Sequence, residues 1–276
     1  MGPAVLRTQR GTLAVLTLNR AADRNPLNAE LTSALLAALR EAFADDTVRS
    51  VAIAADGPAF SAGGDLRQMK ELAAMPAEDA WAWPAGIVEL HHLALEAPKP
   101  LIALVDGPAY AGGMGLAGAC DVVLAGPRAS FAMPEVRLGL FPMIIVAHLV
   151  RALPRKLLLD LMLTGRAIDG AEAERAGLVS RLCADGDALW ATADEYAAMF
   201  EQTSPMALRL GRRAFGLLAD LPAPQALDAA QFLNLAFFHG TDLAEGAAAF
   251  LDRRPAPWVP TDHPPRPDRS GTSTGE

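Results

Sequence analysis

The chain has 276 residues, 51% hydrophobic and 20% charged, long enough for one large domain or two small ones and too apolar for disorder throughout. Its formal net charge of -8 and pI of about 5.2 argue against nucleic acid as the main partner, because phosphate binding needs clustered cations. Two cysteines, Cys120 and Cys183, leave no room for a disulfide framework or a cysteine metal cluster.

In chain order, the first ten residues carry Arg7 and Arg10 but no apolar run behind a basic start, so no signal peptide is expected. Residues 12–18 alternate and are β-branched, which predicts a strand. Asn28 then caps a predicted helix whose Leu31, Leu35, Leu39 and Phe43 share one face. Residues 50–54 predict a short buried strand and 59–64 a loop of small residues. Residues 78–96 predict a helix interrupted at Pro84 and Gly86. Residues 101–105 predict a third buried strand running into a glycine-rich turn over 107–115, and residues 122–125 a fourth strand. The order suggests repeated ββα or βαβ units with a core covered on both faces.

Beyond Pro142 the predicted elements are all helical: 154–163, 171–176, 188–201, 205–219, 225–238 and 243–252. Asp169 and Glu172 have capping-box spacing. Residues 255–276 are rich in Pro, Ser, Thr and Gly and read as a mobile tail. Asp106, Asp121 and Arg137 cut the apolar stretches below the roughly 18 uncharged residues of a membrane helix. A soluble, cytoplasmic protein without membrane or nucleic-acid partners is therefore expected.

Three clusters could carry chemistry: residues 59–66, 106–117 and 130–139. The first two place glycine after the ends of buried strands, where bare backbone permits unusual dihedrals and close approach of a ligand. A helix starting near Gly112 would leave its first N–H groups unpaired. Two such loops facing each other would form an oxyanion hole, each donor worth ~2.7–4 kcal/mol in a transition state. Either loop alone is better explained by tight turns and helix–sheet packing. Neither has the spacing of a nucleotide-binding loop. Glu135 follows Pro134 in an apolar stretch. It reads either as a partly desolvated acid/base or as a surface glutamate in the first turn of a helix.

Taken together and in order, these clusters resemble the crotonase superfamily, the enoyl-CoA hydratase/isomerase family. The likeness covers nearly the whole chain. Asn19-Arg20 and Arg24-Asn25-Pro26-Leu27-Asn28 resemble its N-R-P…N-A-L-N segment, and residues 60–66 its F-x-A-G-x-D-L loop. Residues 99–121 resemble K-P-x-I-A-x-V-x-G-x-A-x-G-G-G…C-D, and residues 134–139 resemble P-E-x-x-L-G. Leu163-Thr164-Gly165, Ala171-Glu172-Ala173 and Gly177-Leu178-Val179 complete the series.

The resemblance implies an α/β crotonase-like (ClpP/crotonase) fold, a spiral of ββα units with a helical C-terminal region. The expected division is a spiral core over 1–198, a helical trimerisation region over 199–258 and a tail over 259–276. It implies an acyl-CoA substrate, no metal, no cofactor beyond the coenzyme A of the substrate, and a homotrimer or dimer of trimers. The thioester oxygen would be held by the backbone N–H groups of Gly64 and Gly112, with Glu135 catalytic. Ala62, Arg67, Gly113, Gly115, Met143 and Arg254 would bind substrate, the two arginines near the coenzyme A phosphates.

The family's hydratases carry two catalytic glutamates, and the first falls at position 115, which here is glycine. The first glycine of its triplet is Ala111, and its later glycine-rich stretch is Met143-Ile144-Ile145-Val146. Water addition uses two carboxylates, whereas moving a proton between carbons needs one. The expectation is an enoyl-CoA isomerase that shifts a 3-enoyl double bond to the 2-position. The alternatives are a 2-enoyl-CoA hydratase with a non-standard second group such as His148, and a non-catalytic acyl-CoA binder. An apolar wall at 143–146 would exclude water, or those residues are simply core. His91, His92, Glu89 and Glu96 read as a solvated helix face, Asp65 and Asp121 as structural, and Trp81 and Trp83 as pocket or loop anchors.

Overall fold

A computed structural model describes residues 2–72 and 74–260. The chain forms two compact units, one up to Phe200 and one from Glu201. Residues 261–276, most of the expected tail, lie outside the described residues.

The first unit opens with β1 (Val5–Arg10) and β2 (Leu13–Leu18), an antiparallel pair. Then come α1 (Ala29–Ala44), β3 (Ser50–Ala55), α2 (Leu66–Leu72), α3 (Ala77–Ala82) and α4 (Ala85–Leu95). β4 (Leu101–Val105), β5 (Pro108–Tyr110), α5 (Gly112–Gly118), β6 (Val122–Ala125) and β7 (Ser130–Ala132) lead to a 3-10 helix, Pro134–Leu138. The unit closes with α6 (Met143–Ala152), α7 (Arg155–Thr164), β8 (Ala167–Asp169), α8 (Gly170–Arg175), β9 (Arg181–Leu182) and α9 (Gly186–Glu201).

One sheet of six strands runs β1-β2-β3-β4-β6-β9, parallel from β2 onward, and a second runs β5-β7-β8. Successive strand residues point to opposite faces. Ala14, Leu16, Val51, Ile53, Ala103 and Val123 therefore pack on one side, with Leu31, Leu35 and Leu39 of α1 and Leu90 of α4. Leu13, Val15, Ala52, Ala54, Ile102 and Leu104 pack on the other, under Leu189, Ala193 and Ala197 of α9. Burial on both faces explains why these strands read as apolar runs.

The ββα unit is visible in the path. β4 leaves the large sheet, β5 enters the small one after Asp106-Gly107, and α5 follows; β6, β7 and the 3-10 helix repeat the pattern. The loop after β3 does the same through single bridges, Ser61 to Ala109 and Gly63 to Pro26, before α2. Asn28 caps α1, its side chain accepting from Leu31 N–H at 3.0 Å. Lys99 closes the other end of that helix, donating to the Ala42 and Asp45 carbonyls at 2.9 and 2.6 Å.

Two expectations are corrected. The segment 107–115 is not a turn but a strand, β5, and the start of α5. The part beyond Pro142 is not all helical, because β8 and β9 return to the two sheets. Both strands are two or three residues long, too short to show a period of two. Glu172 accepts no bond from Asp169, so only half of the capping box forms: Asp169 accepts from Glu172 N–H at 2.7 Å while the Glu172 carboxylate pairs with Arg166.

In the second unit, α10 (Pro205–Ala219), α11 (Ala223–Phe238) and α12 (Thr241–Leu251) follow one another. Trp258 stacks over Gly246 and donates to the Gln202 carbonyl at 3.3 Å. Among the described residues no helix is long and apolar enough to cross a membrane.

Asn25 ties the start of the first unit together. It is fully buried at positive φ; its Oδ1 accepts from Arg20 N–H at 2.7 Å and its Nδ2 donates to the Asp56 and Ala59 carbonyls at 2.9 and 3.0 Å. Asn25→Ala leaves those groups unpaired, so a loss of ~2–4 kcal/mol in denaturant unfolding is expected. A loss below about 0.5 kcal/mol would contradict the role.

Candidate active site

The first turn begins where β3 ends. Ser61 is completely buried and works in four directions. Its Oγ donates to the Asn25 carbonyl at 2.7 Å and accepts from Gly63 N–H at 3.2 Å; its N–H donates to Pro108 O at 3.2 Å, and its carbonyl accepts from Tyr110 N–H at 2.9 Å. Ala62 N–H goes to the Arg24 carbonyl at 2.9 Å. The N–H groups of Ser61, Ala62 and Gly63 are therefore all occupied. Among the described residues, that of the next one, Gly64, has no partner.

The second turn joins β5 to α5. Ala111 N–H donates to Ala132 O at 2.9 Å, and Gly115 N–H to Ala111 O at 3.2 Å. Gly112, the first residue of α5, is left with a free N–H among the described residues. Ala111 itself sits at φ 52° and ψ -124°, a conformation glycine adopts readily and alanine holds at a cost of about 1–3 kcal/mol.

The two turns touch. A Cβ on Gly63, which has φ 85°, would fall 2.6 Å from Ala111 Cβ and 3.0 Å from Gly112 N. A Cβ on Gly113 would fall 2.5 Å from the Ser61 carbonyl oxygen. Only glycine permits this approach from both sides, and it sets two unpaired N–H groups, on Gly64 and Gly112, at the meeting of the turns. Both residues are partly exposed, so a ligand oxygen has access.

Glu135 is the second residue of the 3-10 helix after β7. It lies three residues past Ala132, whose carbonyl clasps the second turn. The side chain is half-buried, and Oε2 has no partner. Burial pushes its carboxyl above the usual carboxylate range, and a bond from its own backbone N–H offsets this only in part. That is the environment of a proton carrier rather than of a surface carboxylate.

Position 115 is closed. A Cβ on Gly115 would lie 2.1 Å from Ile145 Cγ2 and 3.3 Å from His91 Cε1. His148 Nε2 is 2.9 Å from the Gly115 carbonyl and donates to it. A carboxylate here would require Ile145 to move.

The other predicted residues divide. Gly113 and Gly115 are buried in α5 beside the turns. Ala62 is exposed on the first turn, and Arg67 is exposed on α2, paired with Asp23 at 3.0 Å. Met143 is 68% exposed at the start of α6, so of the expected apolar wall only Ile145 is buried. Arg254 belongs to the second unit, near Glu245 and Asp252. Asp121 is structural, accepting from Leu101 N–H at 2.8 Å.

His91 overturns the expectation of a solvated face: it is 5% exposed, packed against His148 with ring centroids 4.8 Å apart. The signal was in the spacing. Ile87, Leu90, His91 and Ala94 fall on one helical stripe, and His91 belongs to it. Asn25 was quoted only as part of a motif, and its bonds to two carbonyls more than thirty residues away leave no trace in local pattern.

Residues 8–261 match the family model described as enoyl-CoA hydratase/isomerase. A Thermus thermophilus protein that bears a provisional enoyl-CoA hydratase name is 36% identical over 254 residues, spanning 91% of this chain and 99% of its own. The 2,3-dehydroadipyl-CoA hydratase of Escherichia coli is 34% identical over 253 residues, spanning 91% of this chain and 95% of its own. Among solved structures, the enoyl-CoA hydratase of Mycobacterium smegmatis superposes with a TM-score of 0.86 at 28% identity, covering 93% of this chain and 99% of its own.

The raised Glu135 carboxyl has a consequence for stability. A carboxyl raised in the folded state supports folding below its ordinary pKa, and that support is lost as pH rises through the raised value. Glu135→Gln stays neutral. It is expected to unfold at the parent's temperature near about pH 4 and at a higher one near about pH 8. An equal or lower unfolding temperature at the higher pH would contradict the assignment.

Proposed function

The chain belongs to the enoyl-CoA hydratase/isomerase family, the crotonase superfamily, as an enzyme of that family, and from this premise we propose that it moves the double bond of an acyl-CoA thioester from the 3- to the 2-position. The observation that carries the proposal is a half-buried Glu135 with an unpartnered Oε2, set against a glycine at position 115 whose side-chain space is filled by Ile145 and His91. One carboxylate suffices to move a proton between carbons.

The thioester oxygen accepts from the N–H groups of Gly64 and Gly112. Glu135 removes a proton from C2. The C–H electron pair becomes the C1–C2 double bond of a dienolate, and the charge gathers on the oxygen. Preorganised amides stabilise that charge without reorganising. The protonated Glu135 then returns its proton to C4, and the double bond settles between C2 and C3. A carboxyl held above its usual range is a stronger base for the first step.

The names of the relatives favour a second reading, 2-enoyl-CoA hydratase. It needs another group to hold the attacking water, and His148, bonded to the Gly115 carbonyl, is a candidate beside that position.

The helices of the second unit support assembly into a homotrimer or a dimer of trimers. Phe215, Leu227, Phe232, Leu235, Phe238 and Phe250 are all exposed on them. Light scattering is expected to give three or six times the 29.0 kDa chain mass, and a monomer would contradict the assembly. On 3-enoyl-CoA the wild type is expected to form conjugated 2-enoyl-CoA, with kcat reduced ~10²–10⁴-fold in Glu135→Gln. Faster formation of 3-hydroxyacyl-CoA from 2-enoyl-CoA, with a large loss in His148→Ala, would replace the isomerase by the hydratase.

A further inference from the structure

A cavity of about 260 Å³ opens within the first unit, and neither Gly64, Gly112 nor Glu135 lines it. It lies where two neighbouring parallel strands end. Asp56 is the first residue after β3 and Asp106 the first after β4, and both line it. Open parallel sheets bind ligands in the crevice beyond the carboxyl ends of their strands.

The lining has an apolar part and a charged part. Ala54, Leu104 and Leu189 belong to the apolar cluster under α9, and Trp190 packs against that cluster. The charged residues are Asp56, Asp106 and Arg128. Two of these neutralise each other: Arg128 Nη2 donates to Asp106 Oδ2 at 2.8 Å, and Arg128 N–H donates to Asp106 Oδ1 at 3.4 Å. Asp56 differs. Its main chain is used, the N–H donating to Leu18 O and the carbonyl accepting from Asn25 Nδ2, both at 2.9 Å. Its exposed carboxylate has no partner among the described residues. One negative charge is therefore left over beside an apolar concavity, on a chain whose formal net charge is already -8.

The complementary ligand carries one positive charge on an apolar body. The body is removed from water against the leucines and the indole, while the charged head stays hydrated at the rim. The volume is below the roughly 300–1,000 Å³ of sites for drug-sized molecules, so the body is short.

We propose that this cavity binds a small primary amine, its ammonium group at Asp56 and its apolar body against Leu104, Leu189 and Trp190. The proposal stands on the cavity alone and is independent of the reaction. A lysine of a second copy would present the same chemistry and would shut a free amine out, so titration of the assembled protein separates the two sources.

The test titrates the assembled wild type and Asp56→Asn with pentylammonium, pentanol and pentanoate, probes of one length and different charge. Fluorine NMR of protein labelled with fluorotryptophan reads the site, with the Trp190 signal assigned through Trp190→Phe. In the wild type, pentylammonium is expected to shift the Trp190 signal and to bind about three- to fivefold more tightly than pentanol, with pentanoate weakest. In Asp56→Asn that advantage over pentanol is expected to fall below about twofold. No binding of pentylammonium, a preference for pentanol or pentanoate, a preference for the amine that survives in Asp56→Asn, or binding that leaves the Trp190 signal unmoved overturns the proposal. Thermal unfolding controls for the fold: Asp56→Asn removes an unpartnered carboxylate and is expected to unfold at the wild-type temperature. A clearly lower temperature would show that the carboxylate is paired within the protein, and would overturn the site.

Discussion

The close approach of two backbone turns governs this molecule. Ser61 lies at the centre of the contact, bonded through its hydroxyl to Asn25 and Gly63 and through its main chain to Pro108 and Tyr110. Each of those bonds uses up a polar group at the contact. Among the described residues, the N–H of Gly64 on one side and that of Gly112 on the other are left without a partner. The glycines at 63 and 113 are needed because a Cβ at either would strike the opposite turn. The site is therefore an outcome of packing: the bonds that join the turns leave the N–H groups of the partly exposed Gly64 and Gly112 without a partner among the described residues.

The same packing explains the chemistry on offer. α5 starts at the second turn and carries Gly115 one turn further along, where α4 and α6 close over it. Ile145 and His91 occupy the volume that a second carboxylate would need. Glu135 is left as the half-buried acid on the neighbouring 3-10 helix, with a carboxyl raised by desolvation. The absence of a side chain at 115 and the bulk of Ile145 are thus two halves of one arrangement.

Much of this was legible in the sequence because it depends on short, contiguous signals. The buried strands β3, β4 and β6 announce themselves as β-branched and alanine runs, and α1 by its Asn28 cap and leucine stripe. The glycines of both turns and the Pro134-Glu135 pair are visible as motifs. The small sheet was not legible, since strands of three residues have no period, and β1 was missed because an exposed edge of Arg, Thr and Gln has no apolar face. Nor was the environment of His91. The stripe 87, 90, 91, 94 marks it as buried, but only the fold brings His148 and Gly115 against it. Met143, expected to line the site, turned outward because α6 buries Ile145, His148 and Leu149 instead.

The central claim is that two main-chain amides hold a thioester oxygen beside one carboxyl. A crystal structure of Glu135→Gln with bound 3-enoyl-CoA tests it most directly. The account predicts the thioester oxygen at about 2.7–3.1 Å from both Gly64 N and Gly112 N, with the residue 135 side chain against C2. A thioester oxygen bonded elsewhere, or a residue 135 side chain turned away from C2, would contradict it.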